Sequence, residues 1–333
     1  MTTMAGLIAE LPDQLRWAAG LTPPEVAAAD EILVAGMGGS GIAGDIAGAV
    51  ADASGGRIGV HKSYGLPGWA ARSRPLLVAV SHSGNTEETL SSVAAAVEAG
   101  LAPAVVTTGG RLGELASDGG WPMIAAPSGP QPRAAVGYLA GATLRLAEAA
   151  GVVPPLSADL AEAADVVEML IGGGVGPGVA LAEDLAEGLE GRVAVIYGGH
   201  GPAAVAANRW KCQINENGKA PAYWSVLPEL DHNEIVGWEA YPKLTDRIGI
   251  VTLFDRDAHP RVALRAGLTA ALVGDRVGIV GEVESQGESL VARLFSLIVI
   301  GDLLSVAIAE RAGMDPMPVD VIQSLKQRLA EEE

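Results

Sequence analysis

The chain contains two places where a short apolar run ends in glycine and hydroxyl residues and then enters an alanine-rich stretch. The first run covers 32–35 and is followed by Gly-Met-Gly-Gly-Ser-Gly; the second covers 76–80 and is followed by Ser-His-Ser-Gly-Asn-Thr. Such runs are typical of buried strands, and the alanine-rich stretches are typical of helices. Because free N–H groups at a helix N-terminus attract anions, the sequence predicts an anion-binding crevice at the carboxyl edge of a parallel sheet.

Further apolar runs alternate with helical patterns along the chain, which predicts an α/β fold with doubly wound parallel sheets. A strand followed by a glycine-rich turn occurs near residue 32 and again near residue 192, which indicates an internal duplication. We assign residues 1–152, with a helical lead-in, to a first unit and residues 153–333, with two closing helices, to a second. Strands are predicted at 32–35, 58–61, 76–81, 103–107, 123–125, 192–197, 248–252 and 277–280.

Composition excludes several classes of function. The formal net charge of −18 argues against a nucleic-acid partner, because phosphate backbones are bound by clustered Lys and Arg. A single cysteine, Cys212, excludes an intramolecular disulfide, and the five histidines show no metal-ligand spacing. The apolar stretch 294–309 contains Asp302 and is too short to span a membrane, so it predicts a core helix. With no signal peptide visible, we expect a cytoplasmic protein.

The first glycine-rich turn, Gly36 to Gly41, formally matches the dinucleotide fingerprint G-x-G-x-x-G. That fingerprint calls for an acidic residue at the end of the second strand, where this chain has His61-Lys62-Ser63. A dinucleotide site and a plain turn therefore remain alternatives, and a phosphate-binding turn built on Gly39 and Ser40 is favoured. In the second turn, Ser81, Ser83 and Thr86 exceed what helix capping alone requires, although a plain N-cap is the simpler alternative.

Four further side chains are candidates for chemistry, each with an ordinary alternative. Arg133 lies in a proline-rich loop at a predicted helix start, and it either faces an anion or is a surface Arg. Glu216 lies near a helix C-terminus, where a carboxylate is electrostatically disfavoured, and is a candidate base or a solvated Glu. His232 is a candidate proton shuttle or a surface His. Lys326 borders the apolar stripe of the final helix, where most lysines extend into solvent.

Taken together, these motifs resemble a known family. Gly38-Gly39-Ser40-Gly41, Ser81-x-Ser83-Gly84-Asn85-Thr86, Pro132-Arg133, Asn215-Glu216-Asn217 and His232-Asn233-Glu234 occur in the order found in the bifunctional phosphoglucose/phosphomannose isomerases of the sugar isomerase (SIS) domain superfamily. The Ser-x-Ser-Gly-x-Thr element marks the superfamily, and the Asn-Glu-Asn element with the later His is more specific to the isomerases. The resemblance extends over nearly the whole chain.

The resemblance implies two flavodoxin-like SIS subdomains, each a three-layer α/β/α sandwich, in a homodimer that needs no cofactor. It also implies roles for individual residues. Glu216 would move a proton between C1 and C2, Arg133 would stabilise the cis-enediolate, and His232 of the neighbouring subunit would assist ring opening. Lys326 would be the active-site lysine of the last helix, and the sugar phosphate would be bound by Gly39, Ser40, Ser81, Ser83 and Thr86. His82, between the serines, is expected to point away from the phosphate.

Three hypotheses of function follow. The first is a metal-independent isomerase that interconverts glucose 6-phosphate or mannose 6-phosphate with fructose 6-phosphate. The second is a sugar-phosphate sensor that uses the same turns without catalysis. The third is an NAD-dependent dehydrogenase that binds its cofactor at residues 36–41. The combination of Glu216, His232 and Arg133 favours the enzyme over the sensor, since binding alone requires no proton-transfer groups.

Overall fold

The computed structural model describes residues 2–332 and contains two parallel β-sheets. The first sheet has the strand order β2-β1-β3-β4-β5, which is the flavodoxin-like order. Each of its pairings is parallel, and four of its five strands have the predicted bounds. The strands are β1 (Ile32–Ala35), β2 (Ile58–His61), β3 (Leu76–Ser81), β4 (Ala104–Thr107) and β5 (Met123–Ala125).

The second sheet repeats this arrangement with four strands in the order β7-β6-β8-β9, again all parallel. The strands are β6 (Val193–Gly199), β7 (Ala222–Leu227), β8 (Ile248–Phe254) and β9 (Ile279–Glu284). In both sheets the first strand of the unit lies between the second and third. The α/β expectation with two parallel sheets is confirmed, while the division at residues 152 and 153 stays a prediction.

Helices connect and cover the strands. They are α1 (Met4–Ala9), α2 (Leu11–Ala19), α3 (Gly38–Ala53), α4 (Ala70–Ser73), α5 (Glu87–Glu98), α6 (Gly110–Gly119), α7 (Val136–Ala149), α8 (Ser157–Ile171), α9 (Pro177–Leu189), α10 (Pro202–Glu216), α11 (Pro242–Thr245), α12 (Pro260–Val273), α13 (Leu290–Arg311) and α14 (Asp320–Glu331). Between α8 and α9, the glycine-rich segment favours a flexible connector, but the structure has a short 3-10 turn at Gly172–Gly174 and enters α9 at Pro177.

Alternation along each strand divides the core into layers. In β1, Ile32 and Val34 face one large apolar cluster, and Leu33 and Ala35 face another that includes residues of α5 and α6. In β6, Ile196 belongs to the same large cluster as Val34. One continuous core therefore joins the inner faces of both sheets, and a smaller apolar cluster covers the outer face of each.

Helix α13 lies in the middle of this shared core. It packs against α8, α9 and α10, and its residues from Val291 to Ile300 are all buried. By length and composition α13 could cross a membrane, but 89% of its apolar window is buried inside the protein. The prediction of a core helix at 294–309 is therefore confirmed.

Candidate active site

The two glycine- and hydroxyl-containing turns lie next to each other. Strands β1 and β3 pair in parallel, with Ala35 opposite Ala79, so the turns that follow them leave the sheet side by side. The backbone N–H of His82 donates a hydrogen bond of 3.2 Å to Ser40 Oγ and so joins the turns. Because the connections from β1 and β3 run in opposite directions across the sheet, this is its topological switch point, where open α/β sheets bind ligands.

The helices that start at this point are not capped by side chains. The N-cap residue of α3 is Met37, and the N-cap residue of α5 is Thr86; neither makes a side-chain capping hydrogen bond. Thr86 Oγ1 instead lies 2.9 Å from Ser81 Oγ. The leading N–H groups of both helices therefore remain open to an anion. The first turn of α5 carries two acidic residues, Glu87 and Glu88.

The predicted hydroxyl residues differ in exposure. Ser81 is buried, and its Oγ accepts a hydrogen bond of 3.1 Å from the Gly84 N–H, so this hydroxyl also shapes the turn. Ser83 is exposed, and its Oγ accepts 3.2 Å from the Asn85 N–H. The Nε2 atom of His82 is buried without a hydrogen-bond partner among the described residues, and burial lowers the pKa of this imidazole.

A glycine places Arg133 at the same crevice. A Cβ atom on Gly39 would lie 2.7 Å from the carbonyl oxygen of Pro132, so a larger residue would push the Pro132-Arg133 segment away from the turn. Arg133 is buried. Burial lowers the pKa of its guanidinium, and the negative charge of Glu216 opposes this effect.

Gly39, Arg133 and Glu216 line one cavity of about 270 Å³, which we call the Glu216 cavity. Glu216 is the last residue of α10, which brings the two units of the chain together at this point. The cavity contains three cations and one carboxylate, in a protein with a net charge of −18. Its lining residues are Gly38, Gly39, Ile42, Lys62, Arg133, Asn208, Arg209, Cys212, Gln213 and Glu216.

Sequence reasoning missed Lys62 as a member of the site. It follows β2, where a dinucleotide-binding chain would carry an acid, and its Nζ forms an ion pair with Asp45 of α3. A Cβ on Gly41 would lie 3.1 Å from Lys62 Cε. Because Gly41 has no side chain, the side chain of Lys62 can cross the turn there. The mismatch with the dinucleotide fingerprint was the available signal for this residue.

His232 lies outside the Glu216 cavity. It is exposed, in a short 3-10 helix, Glu229–His232, that follows β7. Its neighbour Asp231 anchors this helix to α12 through Arg265 at 3.0 Å and Thr269 at 2.7 Å. Within one chain, the structure thus holds His232 at the surface beside α12 and apart from the residues that line the Glu216 cavity.

Lys326 is also exposed, on α14, and it lines a different cavity of about 290 Å³. Thr86 lines this cavity as well, together with Tyr64, Asn85, Glu87, Glu88, Leu329 and Ala330. The structure therefore brings Lys326 to the N-terminus of α5, on the side of the predicted phosphate turn. Larger cavities, such as one of about 530 Å³ beside Arg192 and Arg311, bring together none of the predicted residues in the part of the chain that the structure describes.

At the corresponding position of the second sheet, the turn that follows β8 carries a carboxylate. Asp255, which directly follows β8, is buried and accepts hydrogen bonds from Ser285 Oγ at 2.9 Å and from Arg293 Nε at 2.7 Å. The hydroxyl-rich turn of the first unit is thus replaced by an acidic turn that is neutralised internally. Among residues 2–332, no three His, Cys, Asp or Glu side chains are arranged to hold a metal ion.

Comparison with known proteins gives consistent matches. Residues 179–329 match the model for the bacterial phospho-glucose isomerase C-terminal SIS domain. Proteins named bifunctional phosphoglucose/phosphomannose isomerase are 40% identical over 306 residues in Caldicellulosiruptor bescii (91% of this chain, 90% of that protein) and 35% identical over 303 residues in Aquifex aeolicus (90% of each). A hypothetical protein from Thermus thermophilus has a similar structure, with a TM-score of 0.73 at 16% identity, over 98% of this chain and 90% of that one.

Proposed function

Since this chain belongs to the bifunctional phosphoglucose/phosphomannose isomerase family, we propose that it interconverts glucose 6-phosphate and mannose 6-phosphate with fructose 6-phosphate. The observation that supports this most directly is the Glu216 cavity. Its lining combines the Glu216 carboxylate, the buried Arg133 and the uncapped N-terminus of α3. An aldose–ketose isomerisation requires a base, a cation near the developing negative charge, and an anchor for the phosphate.

In the proposed mechanism, the Glu216 carboxylate removes the proton from C2 of the open-chain aldose and returns it to C1, while the proton of the C2 hydroxyl passes to the C1 oxygen to give the ketose. The electron pair left by the C2–H bond forms the C1–C2 double bond of a cis-enediolate, and the negative charge resides on oxygen. The Arg133 guanidinium stabilises this charge from the same cavity. Glucose and mannose 6-phosphates differ only at C2, so both give the same enediolate.

The phosphate group is proposed to bind at the switch point, where it would accept hydrogen bonds from the open N–H groups of α3 and α5 and from exposed hydroxyls. The candidate residues remain Gly39, Ser40, Ser81, Ser83 and Thr86. The exposed Ser83 is well placed as a direct donor, and the buried Ser81 contributes by holding Gly84 and Thr86. Lys326, on the α5 side of this turn, is proposed to supply a further positive charge to the phosphorylated end of the substrate.

We further propose that the protein acts as a cytoplasmic homodimer in which His232 completes the site of the neighbouring subunit. Two observations support this. His232 is exposed and far enough from the Glu216 cavity to be absent from its lining. The short helix that carries it is also tied to α12, which has three leucines, spaced four residues apart, that are at least half exposed: Leu264, Leu268 and Leu272. An exposed apolar row of this kind is typical of a subunit interface.

The first test is fructose 6-phosphate formation from each aldose phosphate, with the wild type and Glu216→Gln side by side and with EDTA present. We expect turnover of both sugars by the wild type and a loss of about a thousandfold or more in kcat for the variant, since the base is removed but the shape is kept. Tight binding of the sugar phosphates without turnover by either protein would instead support the sensor. Lack of both binding and turnover would overturn the proposal.

A further inference from the structure

Arg133 is held in place by three neutral groups. Its Nε donates a hydrogen bond of 2.7 Å to Asn217 Oδ1. Its Nη2 donates to the carbonyl oxygens of Pro316 at 2.9 Å and Met317 at 2.8 Å. An amide and two carbonyls fix the plane of the guanidinium without balancing its charge. The charge of this buried cation therefore remains available to the cavity that it lines.

The neighbouring Arg209 shows the opposite arrangement. It lines the same cavity and is also buried, but it makes a bidentate ion pair with Asp302, with distances of 3.0 Å and 2.7 Å. Its Nη2 also donates to the Arg133 carbonyl oxygen at 2.9 Å. Asp302 therefore compensates the charge of Arg209, and this pair supports the backbone of Arg133. Of the two buried arginines that line this cavity, Arg133 is the one with neutral hydrogen-bond partners.

The orientation of the Asn217 amide follows from the chemistry of its partners. An arginine Nε only donates, so the atom that faces Arg133 must be Asn217 Oδ1. Asn217 Nδ2 then donates to Ser305 Oγ at 3.0 Å, and Ser305 Oγ donates to the carbonyl oxygen of Asp302 at 2.6 Å. Asn217 is completely buried, so solvent does not compete for these groups. Every hydrogen bond in the series that links α13 to Arg133 therefore has a defined donor and acceptor.

We propose that Asn217 is a positioning residue that aims Arg133 at the developing enediolate without adding a negative charge beside it. The inference rests on the proposed isomerase function. An Asp at this position would have nearly the same shape and would still accept the Nε hydrogen bond. It would also place a negative charge 2.7 Å from that nitrogen, in a buried site where such a charge weakens the attraction of Arg133 for any other anion.

Asn217→Asp tests this inference with two ligands that share a phosphate and differ at the other end. The first, 5-phosphoarabinonate, carries a carboxylate where the enediolate charge would develop; the second, sorbitol 6-phosphate, is neutral there. In the variant we expect the affinity for the carboxylate ligand to fall at least tenfold more than the affinity for the neutral ligand. We also expect kcat to fall about a hundredfold, with KM within about threefold of the wild-type value.

Asn215→Asp is the matched control, because it adds the same charge two residues earlier. Two residues along a helix are about 200° apart, and Asn215 Nδ2 donates to the Ala220 carbonyl oxygen and not to Arg133. We expect the ratio of the two ligand affinities to be unchanged in this variant. Ser305→Ala, which removes the acceptor for Asn217 Nδ2, should give a smaller loss of the same selective kind, and it tests the inference if Asn217→Asp fails to fold.

Two results would overturn the inference: an equal loss of affinity for both ligands in Asn217→Asp, or a ratio of the two affinities that is unchanged in both Asn217→Asp and Ser305→Ala. A purely structural residue would affect the binding of both ligands alike. The failure of the proposed function would look different. In that case the wild type would convert neither aldose phosphate, and the ratio of the two affinities would still report whether Asn217 controls the charge of Arg133.

Discussion

At the scale of single residues, the candidate site depends on glycines that allow close approach. Gly39 admits the carbonyl oxygen of Pro132, and Gly41 admits the side chain of Lys62. The two glycines thereby bring one cation, Arg133, from a later loop and another, Lys62, from the end of β2 to the same cavity. In a chain with a net charge of −18, such local cations are what makes an anionic substrate acceptable.

Lys62→Gln is expected to raise KM for the sugar phosphates about tenfold while changing kcat little, since a charge-assisted contact to the bound anion would be lost. The measurement is steady-state kinetics at two salt concentrations, and the effect should shrink at high salt. Arg57→Gln, on an exposed side chain that pairs with Glu31 at the far end of β2, is the control and should leave KM unchanged. An unchanged KM in Lys62→Gln would show that Lys62 pairs with Asp45 and does not contact the substrate.

Candidate residues in local motifs could be named from the sequence, and candidates that depend on distant contacts could not. Gly39, the hydroxyl residues and Glu216 occur in short motifs, and the neighbouring residues in each motif indicate its chemistry. Lys62 was missed because its importance depends on a glycine 21 positions earlier. Asn217 belongs to a short motif, but its role could not be predicted because its partner Arg133 is 84 positions away.

At the scale of elements, the segment that carries His232 is fixed by a buried tyrosine. Tyr197 of β6 accepts a hydrogen bond of 2.9 Å from Trp238 Nε1 and also hydrogen-bonds Glu234. Burial raises the pKa of Tyr197 strongly, with the charge of Glu234 adding to the effect, so its hydroxyl stays protonated. The hydroxyl thus ties the loop after His232 to the second sheet.

Tyr197→Phe is expected to lower the free energy of unfolding by about 1–2 kcal/mol, because two partners lose a buried hydrogen bond. It should also speed cleavage within residues 229–239 by a protease under native conditions. Tyr223→Phe, on the exposed edge strand β7, is the control. Equal cleavage rates in both variants would mean that other contacts, such as the one between Asp231 and Arg265, are sufficient to hold the segment.

A carboxylate from another helix caps the central helix α13. Glu162 of α8 accepts hydrogen bonds from the backbone N–H groups of Glu288 (2.6 Å) and Ser289 (3.0 Å). Burial alone would raise the pKa of Glu162, but these backbone hydrogen bonds outweigh it and hold the pKa below its ordinary value. A lowered pKa in the folded state stabilises the protein above the ordinary value of 4.5, and that stabilisation is lost as the pH falls through the lowered one.

Glu162→Gln should therefore lower the free energy of unfolding by about 1 kcal/mol or less at pH 7, since the carboxylate is partly exposed to solvent. The difference from the wild type should narrow as the pH falls below 4.5. Denaturant titrations at pH 7, 5 and 4 would measure it. A difference that is the same at all three values would show that the charge of Glu162 is not what stabilises α13.

Most elements of the first unit could be predicted because their strands are short apolar runs between glycines. Three of the longer elements of the second unit were not predicted: β7, α9 and α12. Strand β7 lies at the sheet edge and exposes Tyr223 and Trp224, so it lacks a continuous apolar run. Helix α9 follows a glycine-rich stretch that is typical of a connector, and α12 places apolar Leu264, Leu268 and Leu272 on its exposed face. Pattern rules assume a polar exposed face, which α12 does not have.

At the scale of the whole molecule, the proposed dimer makes each site depend on two chains. If His232 acts across the interface, a chain that lacks Glu216 and a chain that lacks His232 can form one intact site between them. Mixing inactive Glu216→Gln and His232→Ala proteins under conditions that allow subunit exchange should restore roughly a quarter of the wild-type activity, because half of the dimers are mixed and each has one good site. No recovery, with exchange confirmed by native mass spectrometry, would place His232 in its own subunit's site.

The duplicated fold does not duplicate the anion site. In the first unit, the switch point offers open N–H groups and hydroxyls. In the second, Asp255 already accepts hydrogen bonds from Ser285 and Arg293. The turn after β8 thus carries an anion that is covalently part of the chain and already pairs with Arg293. Calorimetric titration with a sugar phosphate should consequently saturate at one equivalent per polypeptide, and a competitive inhibitor designed for the phosphate turn would meet one target per chain.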